Sequence, residues 1–286
     1  MLIYAVACAK CMVWEVYGGK MDAATHLALD EVVFERAKRG HYTLLLPDYD
    51  RPMLVLAHDQ HPADCIGSIA YTRSFTPGGA MLCDRNVFPF SIAVPRESGC
   101  EDYRKDAKAT HLHFCSIIQR ALADLGVHDS VLGEQFYLKV KREPRNLPLV
   151  GTSQRMESTA QLYHGVITLD AWDAEQLSGM VALRSRNGRS ERELIGQLPY
   201  VRAYNPLSLD ELKASLQARL AHDIAGTDSI ADIPVALNEE AADVVRSVYA
   251  SDAWLKYAQH PLNERLSLSL PMQKGLGFCL LGSEFQ

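Results

Sequence analysis

The sequence lacks most of the features that assign a protein directly to a function class. No apolar run approaches eighteen residues, so we expect no membrane-spanning helix. The net charge of -6 at pH 7 leaves no basic footprint for nucleic acid. No GxGxxG motif, phosphate-binding P-loop, Ser-His-Asp arrangement or metal-spaced group of His and Cys stands out. We therefore expect no protein-held metal, no nucleic-acid partner and no membrane partner.

Cysteine is present, but it does not form a recognisable framework. The seven cysteines are odd in number and irregularly spaced, which is typical of free thiols in the reducing cytoplasm, where we expect this protein. The close pair Cys8 and Cys11 lies in an apolar stretch that lacks the basic start of a secretory signal. A single pair of this kind does not predict a metal site. We interpret residues 1–11 as an N-terminal extension ahead of a natural start at Met12, with Met1 as the alternative start.

The apolar pattern predicts an α+β fold, in which a central mixed or antiparallel sheet is flanked by helices. Asp22 is a suitable cap for a first helix that ends at Gly40. Pro89 within an apolar run indicates an edge strand or a bulge. We assign residues 12–260 to one domain and 261–286 to a tail that is long enough for a β-hairpin. The other expected elements are helices at 109–125, 173–183, 208–222 and 238–257, and strands at 12–17, 42–46, 53–57, 69–75, 80–84, 87–94, 136–141, 149–153 and 162–169.

The glycine segment, residues 73–84, places a Pro-Gly-Gly turn between two apolar runs. Gly78 and Gly79 let the backbone come close to a ligand and present N–H groups without a Cβ in the way. Arg73 could neutralise a carboxylate or a phosphate, and Asp84 could orient a ribose. A Pro-Gly-Gly turn is also typical of a plain β-hairpin. The residues alone leave both interpretations open.

A second group of candidate residues follows further along the chain. Gly151 and Thr152 either pack tightly against a ligand or mark a bulge. His164 and Gly165 open an apolar strand, where the histidine is either a structural hydrogen-bonding group or a ligand contact. From the residues alone, the prediction ends at an enzyme-like α+β domain.

The order of these segments resembles that of the biotin/lipoate A/B protein ligase family, and of its lipoate–protein ligases and octanoyltransferases in particular. The similar stretches are, in chain order, 22–31 with its Ala-Leu-Asp-Glu, then 52–62, 73–84, 151–165 and 249–254. Together they extend over roughly residues 12–260. The resemblance implies the class II biotin/lipoate ligase-like catalytic domain.

The resemblance also implies a function. A lipoate–protein ligase uses ATP and Mg to activate lipoate or octanoate as an acyl-adenylate, and then attaches the acyl group to a lysine of an acyl-carrier (lipoyl) domain. Many such ligases have an accessory domain, which a separate accessory chain could supply here. The residues that the resemblance assigns to the substrate and the adenylate are Arg73, Thr76, Gly78, Gly79, Ala80, Asp84, Gly151, Thr152, His164 and Gly165.

The chain departs from the family at the residue that drives the reaction. Aligning Gly151 with the family glycine puts Pro148 where the family has a lysine that stabilises developing negative charge, and proline has neither a charge nor a donor. Lys139 and Lys141 are two residues apart on the preceding strand, so they share one face, and they are either candidate catalytic substitutes or a pair of solvated lysines at a sheet edge. Cys83 is either a buried free thiol or a nucleophile close to the pocket.

Three functions therefore stay open. The first is a ligase that works through an acyl-adenylate, whether the acyl group is lipoyl, octanoyl or biotinyl. The second is a non-catalytic homologue that binds the acyl group or its carrier after the loss of the lysine. The third is an octanoyltransferase, which takes its acyl group from a thioester and does not use ATP.

Overall fold

The computed structural model describes most of the predicted domain. The N-terminal extension, the C-terminal tail and the expected helix at 173–183 lie outside the described residues, and so do Gly78, Gly79 and Ala80. The division of the chain into extension, domain and tail stays a prediction. The described residues are 12–58, 69–76, 81–97, 99, 101–132, 137–141, 147–172, 198–251 and 254–255.

The described part of the chain alternates short strands with a few helices. The strands are β1 (Trp14–Met21), β2 (Tyr42–Tyr49), β3 (Met53–Leu56), β4 (Tyr71–Arg73), β5 (Met81–Cys83), β6 (Val87–Pro95), β7 (Ser130–Leu132), β8 (Tyr137–Val140), β9 (Leu147–Met156), β10 (Ala160–Thr168) and β11 (Ala231–Asp232). The helices are α1 (Ala23–Ala37), α2 (Ala107–Asp124), α3 (Leu209–Leu220) and α4 (Val235–Val244). None of the described helices is both long enough and apolar enough to cross a bilayer.

Eight of these strands form one large sheet in the order β11-β1-β2-β6-β10-β9-β8-β7, and β4, β3 and β5 form a small second sheet. In the large sheet β1 is parallel to β2 and to β11, whereas the other described pairs are antiparallel. In the small sheet β3 is parallel to β4 and antiparallel to β5. The prediction of an α+β fold with a mixed, mainly antiparallel sheet flanked by helices is confirmed.

The large sheet separates two hydrophobic clusters, and the residues of β6 alternate between them. Phe88, Phe90 and Ile92 belong to the cluster that includes α2 and α3. Val87 and Ala93 belong to the cluster that includes α1, α4 and the small sheet. This is the two-residue period of a strand that is buried on both sides. We call the two sides of the sheet the α1 face and the α2 face.

Local capping interactions define the ends of the helices. The side chain of Asp22 accepts a hydrogen bond from the first turn of α1, as its position predicts, and Asp106 caps α2 in the same way. Gly126 follows the last turn of α2 with a φ of 88°, a left-handed conformation that favours glycine. Ser208 and Glu211 form a reciprocal capping box at the start of α3.

One expectation about an individual element is wrong, and one predicted helix starts earlier than expected. The strand that contains Pro89 lies between β2 and β10, in the interior of the sheet, and its register with β10 runs through the proline without a bulge. Pro89 is tolerated there because the pairing with β2 involves only residues 91–93, so the missing N–H removes no bond from that ladder. The last helix begins at Val235, directly after Pro234 and ahead of the predicted start at 238.

Candidate functional site

The glycine segment does not connect two paired strands. β4 ends at Arg73 and β5 begins at Met81, but β3 lies between them in the small sheet. Two strands on either side of a third are about 9.5 Å apart, which is more than a tight turn spans. At the end of β3, the Ser74 N–H donates to Leu56 O at 2.7 Å and the His58 N–H donates to Thr76 O at 3.2 Å. The plain hairpin interpretation of this segment is therefore wrong.

A hydrogen bond joins the glycine segment to the interior of the large sheet. Thr76 Oγ1 lies 3.0 Å from Nε2 of His164 on β10 and 2.8 Å from Ser74 Oγ. The ring of Phe75 stacks on the imidazole with the centroids 6.0 Å apart. His164 lies on the α1 face, because Val166, two residues further along, belongs to that cluster. The structure thus brings together Thr76 and His164, two of the predicted site residues.

Behind His164 lies Asp30, a carboxylate on α1 that is fully buried. Its Oδ2 atom lies 2.7 Å from Nδ1 of His164. Because a carboxylate only accepts hydrogen bonds, we assign a ring proton to Nδ1, and in the neutral ring Nε2 then accepts the hydroxyl of Thr76. The Oδ1 atom of Asp30 has no hydrogen-bond partner within the described part of the chain. A chain of polar groups therefore leads from the middle of α1 to the glycine segment.

A second buried histidine, His26, lies one helical turn before Asp30. Its Nδ1 is 2.9 Å from the hydroxyl of Tyr49, and its Nε2 is 2.9 Å from Ser91 Oγ and 3.6 Å from Asp30 Oδ1. Burial lowers the pKa of His26 and the Asp30 carboxylate opposes this, so the ring is neutral at pH 7. Neither His26 nor Asp30 was predicted to belong to the site, although their spacing of four on a buried helix face was a usable signal. Among the described residues, no group of three or more His, Cys, Asp or Glu side chains is arranged to hold a metal ion.

Arg73 is engaged by the backbone of the protein itself. Its side chain is 1% exposed and donates to the carbonyl oxygens of Ala57, His58, Trp254 and Leu255 at 2.9 to 3.1 Å. The indole Nε1–H of Trp254 donates back to the carbonyl oxygen of Arg73 at 2.9 Å. The guanidinium thus joins the end of β3 to the last described residues of the chain. Its predicted contact with a ligand anion stays a prediction.

Asp84 shapes the connection between β5 and β6. Its Oδ1 accepts a hydrogen bond from the backbone N–H of Asn86 at 2.8 Å. Burial raises the pKa of Asp84, and the hydrogen bond from Asn86 opposes that shift. The predicted contact between this carboxylate and a ribose stays a prediction.

Cys83 precedes Asp84 and has the properties of a structural cysteine. The residue is fully buried, and burial raises the pKa of its thiol to about 12. The thiol is therefore neutral at pH 7, whereas the thiolate is the nucleophilic form. Of the two interpretations of Cys83, the geometry favours the buried free thiol.

The two later glycines lie on opposite faces of the sheet. Gly165 pairs with Thr152 across β10 and β9. A Cβ added to Gly165 would lie 2.3 Å from Gly151 O and 2.9 Å from Cζ of Phe90, so glycine is required for packing. Phe90 belongs to the α2 cluster, so Thr152 and Gly165 face α2, and Gly151 faces α1. The structure therefore separates the side chain of Thr152 from the glycine segment, and its contact with a ligand stays a prediction.

Lys139 pairs with Pro148 in the register of β8 and β9, next to a register shift between Leu138 and Lys139. Its neighbours Leu138 and Val140 both belong to the α2 cluster, so Lys139 itself points to the α1 face. Lys141 shares that face by its spacing but is exposed to solvent at the end of β8. Of the two candidate lysines, Lys139 is the one that lies beside the position of the missing lysine.

The sequence matches no protein-family model and no curated protein. Solved structures do match it. A structure from an archaeal lipoylation system of Thermoplasma acidophilum, a bipartite lipoate protein ligase and its E2 lipoyl domain, matches with a TM-score of 0.69 at 16% identity, over 84% of this chain and 96% of that one. The chain has the lipoate–protein ligase fold.

Two further structures support that assignment. Lipoate-protein ligase A bound with ATP matches with a TM-score of 0.65 at 17% identity, over 85% of this chain and 97% of that one. P. falciparum LipL1 in complex with lipoate matches with a TM-score of 0.62 at 12% identity, over 87% of this chain and 75% of that one. The class II biotin/lipoate ligase-like domain expected from the order of the segments is confirmed as a fold. At such identities, the similarity concerns the fold alone.

Proposed function

We propose that the protein is a lipoate–protein ligase-like enzyme, which attaches a lipoyl or octanoyl group to a lysine of a lipoyl carrier domain through an acyl-adenylate. The observation that carries this proposal is the position of Lys139 on the α1 face, paired with Pro148. The neighbouring strand thereby offers a cation where the family lysine is missing. An ammonium group there can stabilise the negative charge that develops when the carrier lysine attacks the acyl carbonyl.

The described residues are compatible with binding a phosphate group of ATP. A phosphate is bound by cations and by backbone N–H groups, and Lys139 is the described cation beside Pro148. We expect Mg to arrive with ATP, which would supply the AMP group that activates the carboxylate of lipoate or octanoate, with pyrophosphate as the leaving group. Matching structures were obtained with ATP and with lipoate, which supports this choice of ligands. One matching ligase is bipartite and has an E2 lipoyl domain, which supports a lipoyl carrier and a separate accessory chain as partners.

The direct test is the mass of a carrier domain after incubation with this protein. A lipoyl domain is incubated with the protein, Mg-ATP and either lipoate or octanoate, and is then weighed intact. We expect one acyl group per carrier, and only when ATP is present. Acylation from an octanoyl thioester without ATP would instead identify a transferase. If neither donor modifies the carrier, both catalytic proposals fail.

Variants of Lys139 and Lys141 test which of the two lysines takes part in the acylation reaction. We expect Lys139→Ala to lower the rate of acylation about a hundredfold, the typical cost of removing one electrostatic stabiliser. The matched control is Lys141→Ala, which removes an exposed lysine just after the end of β8. Similar rates in the two variants would contradict the assignment of Lys139.

A second candidate function follows from Pro148 itself. A chain that has lost the family lysine and gained no substitute would bind the acyl-adenylate or the carrier without turnover. Isothermal titration calorimetry with a non-hydrolysable lipoyl-adenylate analogue distinguishes this case from the ligase. Binding without any acylation of the carrier, by either donor, would establish the binding protein.

A further inference from the structure

Burying the carboxylate of Asp30 costs free energy, and packing alone does not explain why a charged residue lies at this position. The side chain is fully buried in the middle of α1, where a charged group costs free energy unless other groups compensate. Its one described hydrogen bond is the bond to Nδ1 of His164, at 2.7 Å, and its Oδ1 atom has no hydrogen-bond partner among the described residues. The neighbouring His26 uses both ring nitrogens on Tyr49 and Ser91. Hydrogen bonding to His164 is therefore the role that we assign to the buried Asp30 carboxylate.

We infer that Asp30 is a positioning residue: it holds His164 as the Nδ1–H tautomer, so that Nε2 accepts the Thr76 hydroxyl and fixes the start of the glycine segment. This inference rests on the proposed function, because it concerns the segment that the fold offers to an acyl-adenylate. In the opposite tautomer, the lone pair of Nδ1 would face the carboxylate oxygen at hydrogen-bond distance. Asp30 excludes that tautomer by charge repulsion.

Thr76 is the point at which this orientation reaches the glycine segment. Its hydroxyl contacts His164 and Ser74, its N–H donates to Ser74 Oγ at 3.1 Å, and its carbonyl accepts from the His58 N–H. The preceding residue, Phe75, stacks on the same imidazole and lies 5.6 Å from the guanidinium carbon of Arg155. The ring of His164 thus contacts Phe75 and Thr76, the two residues that precede Pro77. A misplacement of about 1 Å in such a segment can change a rate a hundredfold.

The tautomer of His164 is measurable without any enzymatic assay. In the full-length protein with ¹⁵N-labelled histidine, the imidazole nitrogen shifts distinguish a protonated nitrogen from an unprotonated one. We expect a protonated Nδ1 and an unprotonated Nε2 in the wild type, and a mixture of tautomers in Asp30→Leu. A protonated Nε2 in the wild type would overturn the inference, and so would an unchanged spectrum in the variant.

The second measurement uses Thr76, where the substitution is nearly isosteric. We expect Thr76→Val to raise the KM for lipoate or octanoate about tenfold or more while kcat changes less, and Thr76→Ser to restore the wild-type KM. The matched control is Thr72→Val, because Thr72 is equally buried on the adjoining strand and its hydroxyl has no partner among the described residues. Equal KM values for Thr76→Val and Thr72→Val would mean that the contacts among Asp30, His164 and Thr76 are only structural. That result would overturn the inference.

The two measurements separate this inference from the proposed function. If the wild-type protein acylates no carrier, the ligase proposal fails, and the tautomer spectra still decide whether Asp30 orients His164. If acylation occurs and the spectra are not as expected, the ligase proposal stands and the positioning role fails.

Discussion

Two neighbouring residues of β10 each belong to a buried polar cluster, one on each face of the sheet, and of these two clusters one leads to a candidate ligand segment. On the α1 face, His164 connects Asp30 to Thr76 and hence to the glycine segment. On the α2 face, the hydroxyl of Tyr163 lies 3.2 Å from Nδ1 of His111 and 3.2 Å from Sγ of Cys115. The comparison teaches that a buried polar cluster is a candidate site when it ends at a segment that could meet a ligand.

The α2 cluster has the properties of a structural cluster. Burial raises the pKa of the Cys115 thiol to about 12, and burial lowers the pKa of His111 to about 4. At pH 7 both groups are therefore neutral, and they lie within the packing between α2 and the sheet. We accordingly expect changes on this face to alter stability, and changes on the α1 face to alter binding and turnover as well.

The largest expected effect on stability comes from Arg73, which holds the small sheet against the end of the described chain. Arg73→Met leaves four carbonyl oxygens without this donor, two in buried and two in partly buried contacts, and we expect a loss of about 3–5 kcal/mol in the free energy of unfolding. Urea denaturation measures the loss. The control is Arg51→Met, since Arg51 is 63% exposed in its ion pair and its replacement costs less than about 1 kcal/mol. Similar losses in the two variants would contradict the structural role of Arg73.

A somewhat smaller effect is expected at Gly165, where β9 and β10 approach on the α2 face. The added methyl group of Gly165→Ala would lie 2.3 Å from a backbone oxygen of Gly151, which cannot move without disturbing the pairing. We expect a loss of about 1–3 kcal/mol in urea denaturation. In the control Gly18→Ala, the nearest atom is a side-chain methyl of Ile230 at 3.0 Å, which can shift. A Gly165→Ala variant that is as stable as the control would show that the register of the two strands is wrong.

A smaller effect is expected from Tyr163→Phe, which removes the central hydroxyl of the α2 cluster. The loss of its hydrogen bonds to His111 and Cys115 is expected to cost about 1 kcal/mol in the free energy of unfolding. The rate of carrier acylation is expected to stay at the wild-type value. A selective loss of acylation at wild-type stability would mean that the α2 face takes part in function.

The smallest expected effect concerns the free energy of unfolding as a function of pH. The change is small near neutral pH, and below it the protein becomes less stable. The pKa of His111 is about 4 in the folded protein and near 6.5 when unfolded, so the unfolded chain binds more protons between these values. The contribution of His111 to the free energy of unfolding is therefore complete above about pH 6.5 and is lost as the pH falls towards 4. The lowered pKa of His26 adds to this trend. We expect His111→Gln to flatten the dependence of the urea midpoint on pH. Leu112→Gln, an exposed neighbour on α2, should keep the wild-type slope, and an equal slope in His111→Gln would contradict the assignment.

The parts of the fold that could be predicted from the sequence depend on local signals. Asp22 as a helix cap and Gly126 as a helix end are set by residues within one turn of the chain. The order of the segments was sufficient to identify the fold, although the sequence alone matched no family model. Local patterns and their order thus carried the architecture.

The candidate site depends on contacts between residues that are distant in sequence. His164 contacts Asp30 across 134 positions, and Arg73 contacts the carbonyl oxygen of Trp254 across 181 positions. No local pattern specifies these pairs. The face of the sheet on which Thr152 lies could not be predicted from the sequence either, because a shift of one residue in strand register moves a side chain to the opposite face. Lys139 was found from the sequence, but its position across from Pro148 required the pairing of β8 with β9.

The central claim is that ligand binding belongs to the α1 face and not to the α2 face. Isothermal titration calorimetry with a non-hydrolysable lipoyl-adenylate analogue tests it directly in the full-length protein and in two variants, Thr76→Val and Tyr163→Phe. We predict one binding site per chain, a dissociation constant raised about tenfold or more by Thr76→Val, and wild-type affinity in Tyr163→Phe. No binding by the wild type, or a loss of affinity in Tyr163→Phe but not in Thr76→Val, would contradict the account.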